Sequence, residues 1–121
     1  MKTGFRHLFT PLRLRNVTLR NRIVSTGHLE AYSENGKITD RLIEYHVEKA
    51  RGGVGLTIFG GSSSVHPSSQ AAAWSMICNH DASVIGQYRR MADAIHAHGA
   101  AVMTQLTHMG RRGVSDVEDW R

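Results

Sequence analysis

Apolar and polar residues alternate from Leu12 to Leu19, LRLRNVTL, around Asn16, which is the period-two pattern of a two-strand hairpin with Asn at its turn. A third short run, RIVS at residues 22–25, follows at once. Gly27 and the polar segment SENGK break the alternation, and Asn35-Gly36 is a strong turn signal. Thr39 suits the N-cap of a helix whose Leu42, Ile43, His46, Val47 and Ala50 share one face. Gly52-Gly53 ends that helix, and Lys49 and Arg51 lie at the negative end of its dipole. The run VGLTIFGG, residues 54–61, is nearly continuous in apolar residues and too short for an independent helix, so it predicts a strand buried on both faces. After a long polar stretch Asp81 opens a second helix, with Val84, Tyr88, Met91, Ala92 and Ile95 on one side and Gly99 at its end. AAVMTQL, residues 100–106, predicts the third buried strand.

The order hairpin, β, α, β, α, β is that of an α/β protein, with parallel strands joined by right-handed crossovers. Helix-to-strand links are tight, whereas the segments after the first two strands are long, residues 26–38 and 62–80. Ligands of α/β proteins sit at the carboxyl ends of the strands, so the elaborated side is where a site is expected. Closing a barrel takes eight strands and about 250 residues, more than this chain holds. The C-terminal GVSDVEDWR reads as mid-loop with Trp120 exposed, so residues 1–121 are expected to be an N-terminal piece of a longer protein.

Composition narrows the function classes. The 121 residues, 40% hydrophobic and 21% charged, suit one compact domain. Six of the fifteen basic residues (Lys2, Arg6, Arg13, Arg15, Arg20, Arg22) precede the first acid, Glu30, and the net charge is +5. Arg13, Arg15, Arg20 and Arg22 alternate with Leu12, Leu14, Leu19 and Ile23, which reads as the wet face of a strand pair. Neither interleaved aromatics nor a recognition-helix pattern accompanies them, so no nucleic-acid partner is expected. The longest apolar run, Val54 to Phe59, falls far short of the roughly 20 residues of a spanning helix. No secretory signal is legible at the N-terminus. A single cysteine, Cys78, makes no intramolecular disulfide, and a reducing, cytoplasmic setting is expected. The expected partner is a small-molecule substrate, and an open sheet edge leaves room for a homo-oligomer.

Three strings carry a resemblance: LFTPLRLRNVTLRNRIV, YHVEKARGGVGLTIFGG and QLTHMGRR. Together they resemble the start of the NADH:flavin oxidoreductase, or old yellow enzyme, family, from Leu8 to about Gly113. The resemblance implies the N-terminal portion of a (β/α)8 TIM barrel, with a β-hairpin closing its bottom and FMN across the carboxyl ends of the strands. It assigns Thr26, Gly27 and His28 to flavin contacts, partly through main chain, where a glycine lets the backbone approach a planar ring. By the same comparison Gly61 lies against the isoalloxazine, and the Gln105 amide both donates to and accepts from its pyrimidine edge. His108 and Arg111 would position the loop after the third strand. His66, His80, His96 and His98 carry no metal-ligand spacing, so no metal site is expected. GxGxxG is absent.

STGHLEAYSENG with YHVEKARGGVGLTIFGGSSSV is most similar to the N-methylproline demethylase branch, a relative of trimethylamine dehydrogenase and 2,4-dienoyl-CoA reductase. That implies an FMN-dependent oxidation of an N-methyl amine, with ene reduction as the alternative and a catalytically incomplete fragment as a third reading. Full chains of the branch carry a 4Fe-4S cluster and an FAD or NAD(P)H region downstream. Where trimethylamine dehydrogenase attaches flavin to a cysteine, this chain has Leu29, so no covalent link is expected there. His28 and Tyr32 are the substrate-facing candidates. The isolated piece is expected to be inactive.

Overall fold

The computed structural model describes residues 4–69 and 76–112. Lys2, Trp120 and the whole of GVSDVEDWR from Gly113 onward lie outside them. The hairpin forms as the alternation predicts: β1 (Leu12–Leu14) pairs antiparallel with β2 (Val17–Leu19), Leu12 opposite Leu19 and Leu14 opposite Val17. The left-handed turn residue is Arg15, at φ +51°, rather than Asn16. Leu19 alone of the hairpin is buried, so the remaining apolar side chains do not form a covered face.

A parallel sheet stands on this hairpin. β3 (Val24–Ser25) and β5 (Ile77–Cys78) pair with β4 (Leu56–Ser64) at its beginning and its end, and β6 (Ala101–Thr107) runs along the other edge of β4. The sheet therefore has four strands instead of three, because the polar stretch before the second helix contains β5. That strand is only two residues long, held by its ladder to Ser63 and Ser64 and by the Cys78 amide donating to Gly36 O at 2.9 Å. β4 also runs three residues past Gly61, since the hydroxyls of Ser63 and Ser64 find hydrogen bonds there and both residues are buried. Contrary to expectation β6 is largely exposed, Met103 at 47% and Leu106 at 62%, because among the described residues nothing pairs with its outer edge.

Two helices cover one face. α1 (Asp40–Arg51) is capped by Thr39, whose hydroxyl accepts from Leu42 N at 3.2 Å. Its Leu42, Ile43, Val47 and Ala50 enter the core on the predicted stripe. Each such large aliphatic side chain contributes about 1.5–3 kcal/mol on full burial. α2 (Val84–His96) adds Val84, Met91 and Ile95. It starts at Val84 and not at Asp81, whose carboxylate instead accepts from Ser83 N at 2.7 Å in a turn ahead of the helix. Hydrogen bonds from the Ser83 side chain and amide, with a smaller contribution from the field of His80, hold the Asp81 carboxyl below its ordinary value. The result is a curled parallel sheet with helices outside and a hairpin beneath, the arrangement that part of a (β/α)8 barrel requires. No helix among the described residues is long and apolar enough to cross a membrane.

The arginine-rich hairpin departs from its wet-face expectation at one residue. Arg20 donates to Val54 O from Nε and one terminal nitrogen, to Ala50 O and to His98 O, so it ties the end of α1, the approach to β4 and the turn after α2. Next to it, Asn21 donates to Gly53 O and accepts from Ile23 N. A Cβ on Gly55 would stand 2.7 Å from Asn21 O, so this close approach demands glycine.

Candidate functional site

Both long connections leave the carboxyl ends of the strands, and the candidate residues gather there. Between the pairs Phe59–Thr104 and Ser63–Leu106 the ladder slips, so that residues 60–62 of β4 stand opposite Gln105 alone. Gly60 makes the slip sterically feasible: it sits at φ +79°, and a Cβ there would lie 2.2 Å from Ser63 Oγ and 3.1 Å from Thr104 Oγ1. Gly61 is thus within a bulge facing Gln105 rather than at the strand's last position. On the other side of β4, a Cβ on Gly27 would stand 2.3 Å from Gln105 Oε1 and 3.3 Å from its Cβ and Cδ. Gly27, Gly61 and Gln105 accordingly meet at one end of the sheet. The space freed by Gly27 holds the Gln105 side chain.

The rim loop, residues 26–39, is anchored by a polar network. His28 Nδ1 donates to Thr26 O at 3.2 Å, and its Nε2 accepts from Tyr45 Oη at 3.0 Å. Glu30, its side chain 5% exposed, accepts from His46 Nε2 at 2.9 Å and lies 3.9 Å from His28 Nε2. His46, wholly buried on α1, meets Thr57 Oγ1 of β4 at 2.7 Å through Nδ1. Burial would raise the Glu30 carboxyl, but the His46 hydrogen bond and the fields of His46 and His28 hold it below the ordinary carboxylate value. Tyr45 packs edge-on against His28, Tyr32 and His46, while Lys49 Nζ covers its ring at 4.1 Å and donates to Ser25 Oγ. Tyr32 packs under the Arg41 guanidinium at 4.0 Å. Asn35 and Gly36 form the expected left-handed turn, closed by the Glu34–Lys37 bridge.

Thr26 and His28 are exposed at the rim, and Gln105 is exposed on β6. A small crevice between loop and strands is lined by Leu29, Glu30, Tyr32, Leu42, Gly60 and Ile77. The loops after β4 and β6 meet as well: the His66 and His108 rings are 6.5 Å apart, and Met109 N donates to Ser69 Oγ at 2.8 Å. His108 also accepts from Gly110 N, bracing its own turn, while Arg111 is exposed. Sequence reasoning placed His46 on an apolar stripe and passed over Glu30. A histidine on a buried face needs a partner, and the lone acid of an otherwise uncharged stretch, sixteen residues earlier, was the available signal.

Residues 7–119 match the family model described as the NADH:flavin oxidoreductase / NADH oxidase family. The chain belongs to this family. Among curated relatives of this family member, N,N-dimethylglycine/sarcosine dehydrogenase of Chromohalobacter salexigens is 45% identical over 97% of the chain, and a probable N-methylproline demethylase of Rhizobium meliloti is 42% identical over 93%. The chain spans only 17% and 16% of those two proteins' lengths. Among solved structures, 2-naphthoyl-CoA reductase with 2-naphthoyl-CoA is matched at a TM-score of 0.82 and 28% identity, covering 90% of this chain and 16% of that one.

Proposed function

We propose that residues 1–121 are the N-terminal part of an FMN-binding barrel domain, with the hairpin, the first barrel strands and two helices, and that the protein oxidatively demethylates an N-methylated amine. The observation that carries this reading is the meeting of side-chain-poor backbone at Gly27 and Gly61 with the Gln105 amide at the strand ends of a family member. The residues fit the group: an amide that donates and accepts suits the mixed carbonyl and N–H edge of a flavin, and Gly27 and Gly61 add no side chain of their own beside it. Thr26, Gly27, His28, Gly61 and Gln105 would hold it. The chemistry FMN supplies when bound is acceptance of a hydride from the N-methyl carbon, after which water hydrolyses the iminium to formaldehyde and the demethylated amine. The chain's own residues orient and exclude water. Gln105 would fix the ring edge, and His28, braced by Thr26 and Tyr45 at the rim, and Tyr32 are the candidates to face substrate.

The names of the two curated relatives, both acting on N-methylated amino acids, favour amine oxidation. The likeness to 2-naphthoyl-CoA reductase supports a second reading, ene reduction on the same scaffold. Anaerobic mixing separates them: bleaching of the flavin by sarcosine or N-methylproline supports demethylation, whereas reoxidation of the reduced flavin by an enoyl thioester with no bleaching by amines supports the reductase. The 121-residue chain by itself is expected to retain almost no FMN and to be inactive, and a yellow, FMN-retaining 121-residue protein would contradict that.

A further inference from the structure

The mechanism above leaves one buried polar assembly unused. Glu30 on the rim loop, His46 on α1 and Thr57 on β4 form a continuous chain of hydrogen bonds, with the side chains of Glu30 and His46 5% and 0% exposed. Desolvating a carboxylate and an imidazole is costly, and apolar packing of the same volume is often as stable or more so. Such a pair is therefore expected to provide direction that apolar packing cannot. Directly after Glu30, Ala31 sits at φ +55°, a conformation that costs a residue with a Cβ about 1–2 kcal/mol. This turn carries the chain from the inward Glu30 to Tyr32, packed on α1. Strain of that kind persists only where surrounding contacts over-determine it.

We propose that Glu30 is a positioning residue: its carboxylate keeps the proton of the buried His46 on Nε2 and pins the turn of rim loop that sets Gly27 against Gln105. With Nε2–H committed to Glu30, Nδ1 is left to accept from the Thr57 hydroxyl, so loop, helix and strand are locked in one donor–acceptor order. The groups facing the carboxylate are His46 from α1 and His28 from the loop itself. Lys49 and Arg41 stand further out, each over a tyrosine ring. The proposal rests on the flavin reading only for what the loop is held to do.

The test is nuclear magnetic resonance on the full chain labelled with nitrogen-15, as wild type, Glu30→Gln and Tyr45→Phe. The His46 ring nitrogens report Nε2–H in wild type. In Glu30→Gln, whose amide donates as readily as it accepts, the Nδ1–H form becomes populated to a comparable extent, and amide exchange at residues 27–31 speeds by about tenfold. Tyr45→Phe loosens His28 and leaves the His46 tautomer as it was. An unchanged tautomer in Glu30→Gln, or unchanged exchange across the loop, overturns the proposal. If Glu30→Gln does not fold, Glu30→Asp, too short to reach His46, is read by the same two signals. Titration of the whole protein, of which residues 1–121 are proposed to be the N-terminal part, with FMN separates the two readings: a whole protein that takes up no FMN ends the flavin assignment, while tautomer and exchange in residues 1–121 still decide the role of Glu30.

Discussion

Among the described residues, the Arg20 guanidinium donates only to main-chain carbonyls at the bottom of the sheet. Ala50 O, which also accepts from Gly53 N, and Val54 O belong to the end of α1 and the approach to β4. Arg20→Ala is expected to lower stability by about 2–3 kcal/mol, since charge-assisted hydrogen bonds vanish at three sites and partial exposure tempers the loss. Arg20→Lys recovers little of it, because one ammonium cannot reach three carbonyls at fixed angles. Urea unfolding of the three proteins decides this, and a lysine variant as stable as wild type would show that charge alone suffices. Glu30 gives a prediction in pH. Its folded pKa lies below the ordinary 4.5, so the unfolded chain protonates first as pH falls. Its contribution is complete above about pH 4.5 and is lost as pH drops through the folded value. The stability gap between wild type and Glu30→Gln should therefore be full near neutrality and close in acid. A gap that is constant down to about pH 3 would assign the effect to packing.

At the scale of elements, glycines in α2 and β4 have opposite roles. Gly86 lies inside α2 with open space where a Cβ would stand, whereas Gly60 is left-handed and crowded by Ser63 and Thr104. Gly86→Ala is expected to stabilise by about 0.5–1 kcal/mol, and Gly60→Ala to destabilise by about 2 kcal/mol or more. Thermal unfolding of the pair tests whether the slip in β4 depends on that backbone. The elements that were legible in sequence are those with a repeated local signal: the cap at Thr39 and the stripe of α1, the alternation of β1 and β2, the Asn35-Gly36 turn. β5 and the last residues of β4 were not legible. GGSSS has loop composition, and only pairing with distant residues, Ile77 and Leu106, makes it strand.

For the molecule as a whole, the location of the site was legible from the uneven connection lengths and from the family strings, and its anchoring was not. Gln105 and Gly27 could be named singly, but the contact between them depends on a register slip that no local pattern encodes. The Glu30–His46 pair joins residues whose roles depend on burial, which for a histidine is settled by partners elsewhere in the fold. The same scale carries a prediction of association. Met103 and Leu106 are exposed on a strand whose outer edge is unpaired among the described residues, with Val24 exposed on β3. The chain by itself is expected to self-associate with rising concentration, and Leu106→Lys to reduce this, as read by sedimentation. A chain that is monomeric at all concentrations would refute it.

The slip between β4 and β6 also bears on how the chain tolerates changes of length. From Phe59 to Ser63 β4 advances four positions while β6 advances two, from Thr104 to Leu106, so the surplus is an even number. Inward and outward parity is therefore preserved across it. Deleting one residue from 60–62 would turn Ser63 and Ser64 over and unseat β5, whereas deleting two would shorten the rim and leave every later side chain on its own face.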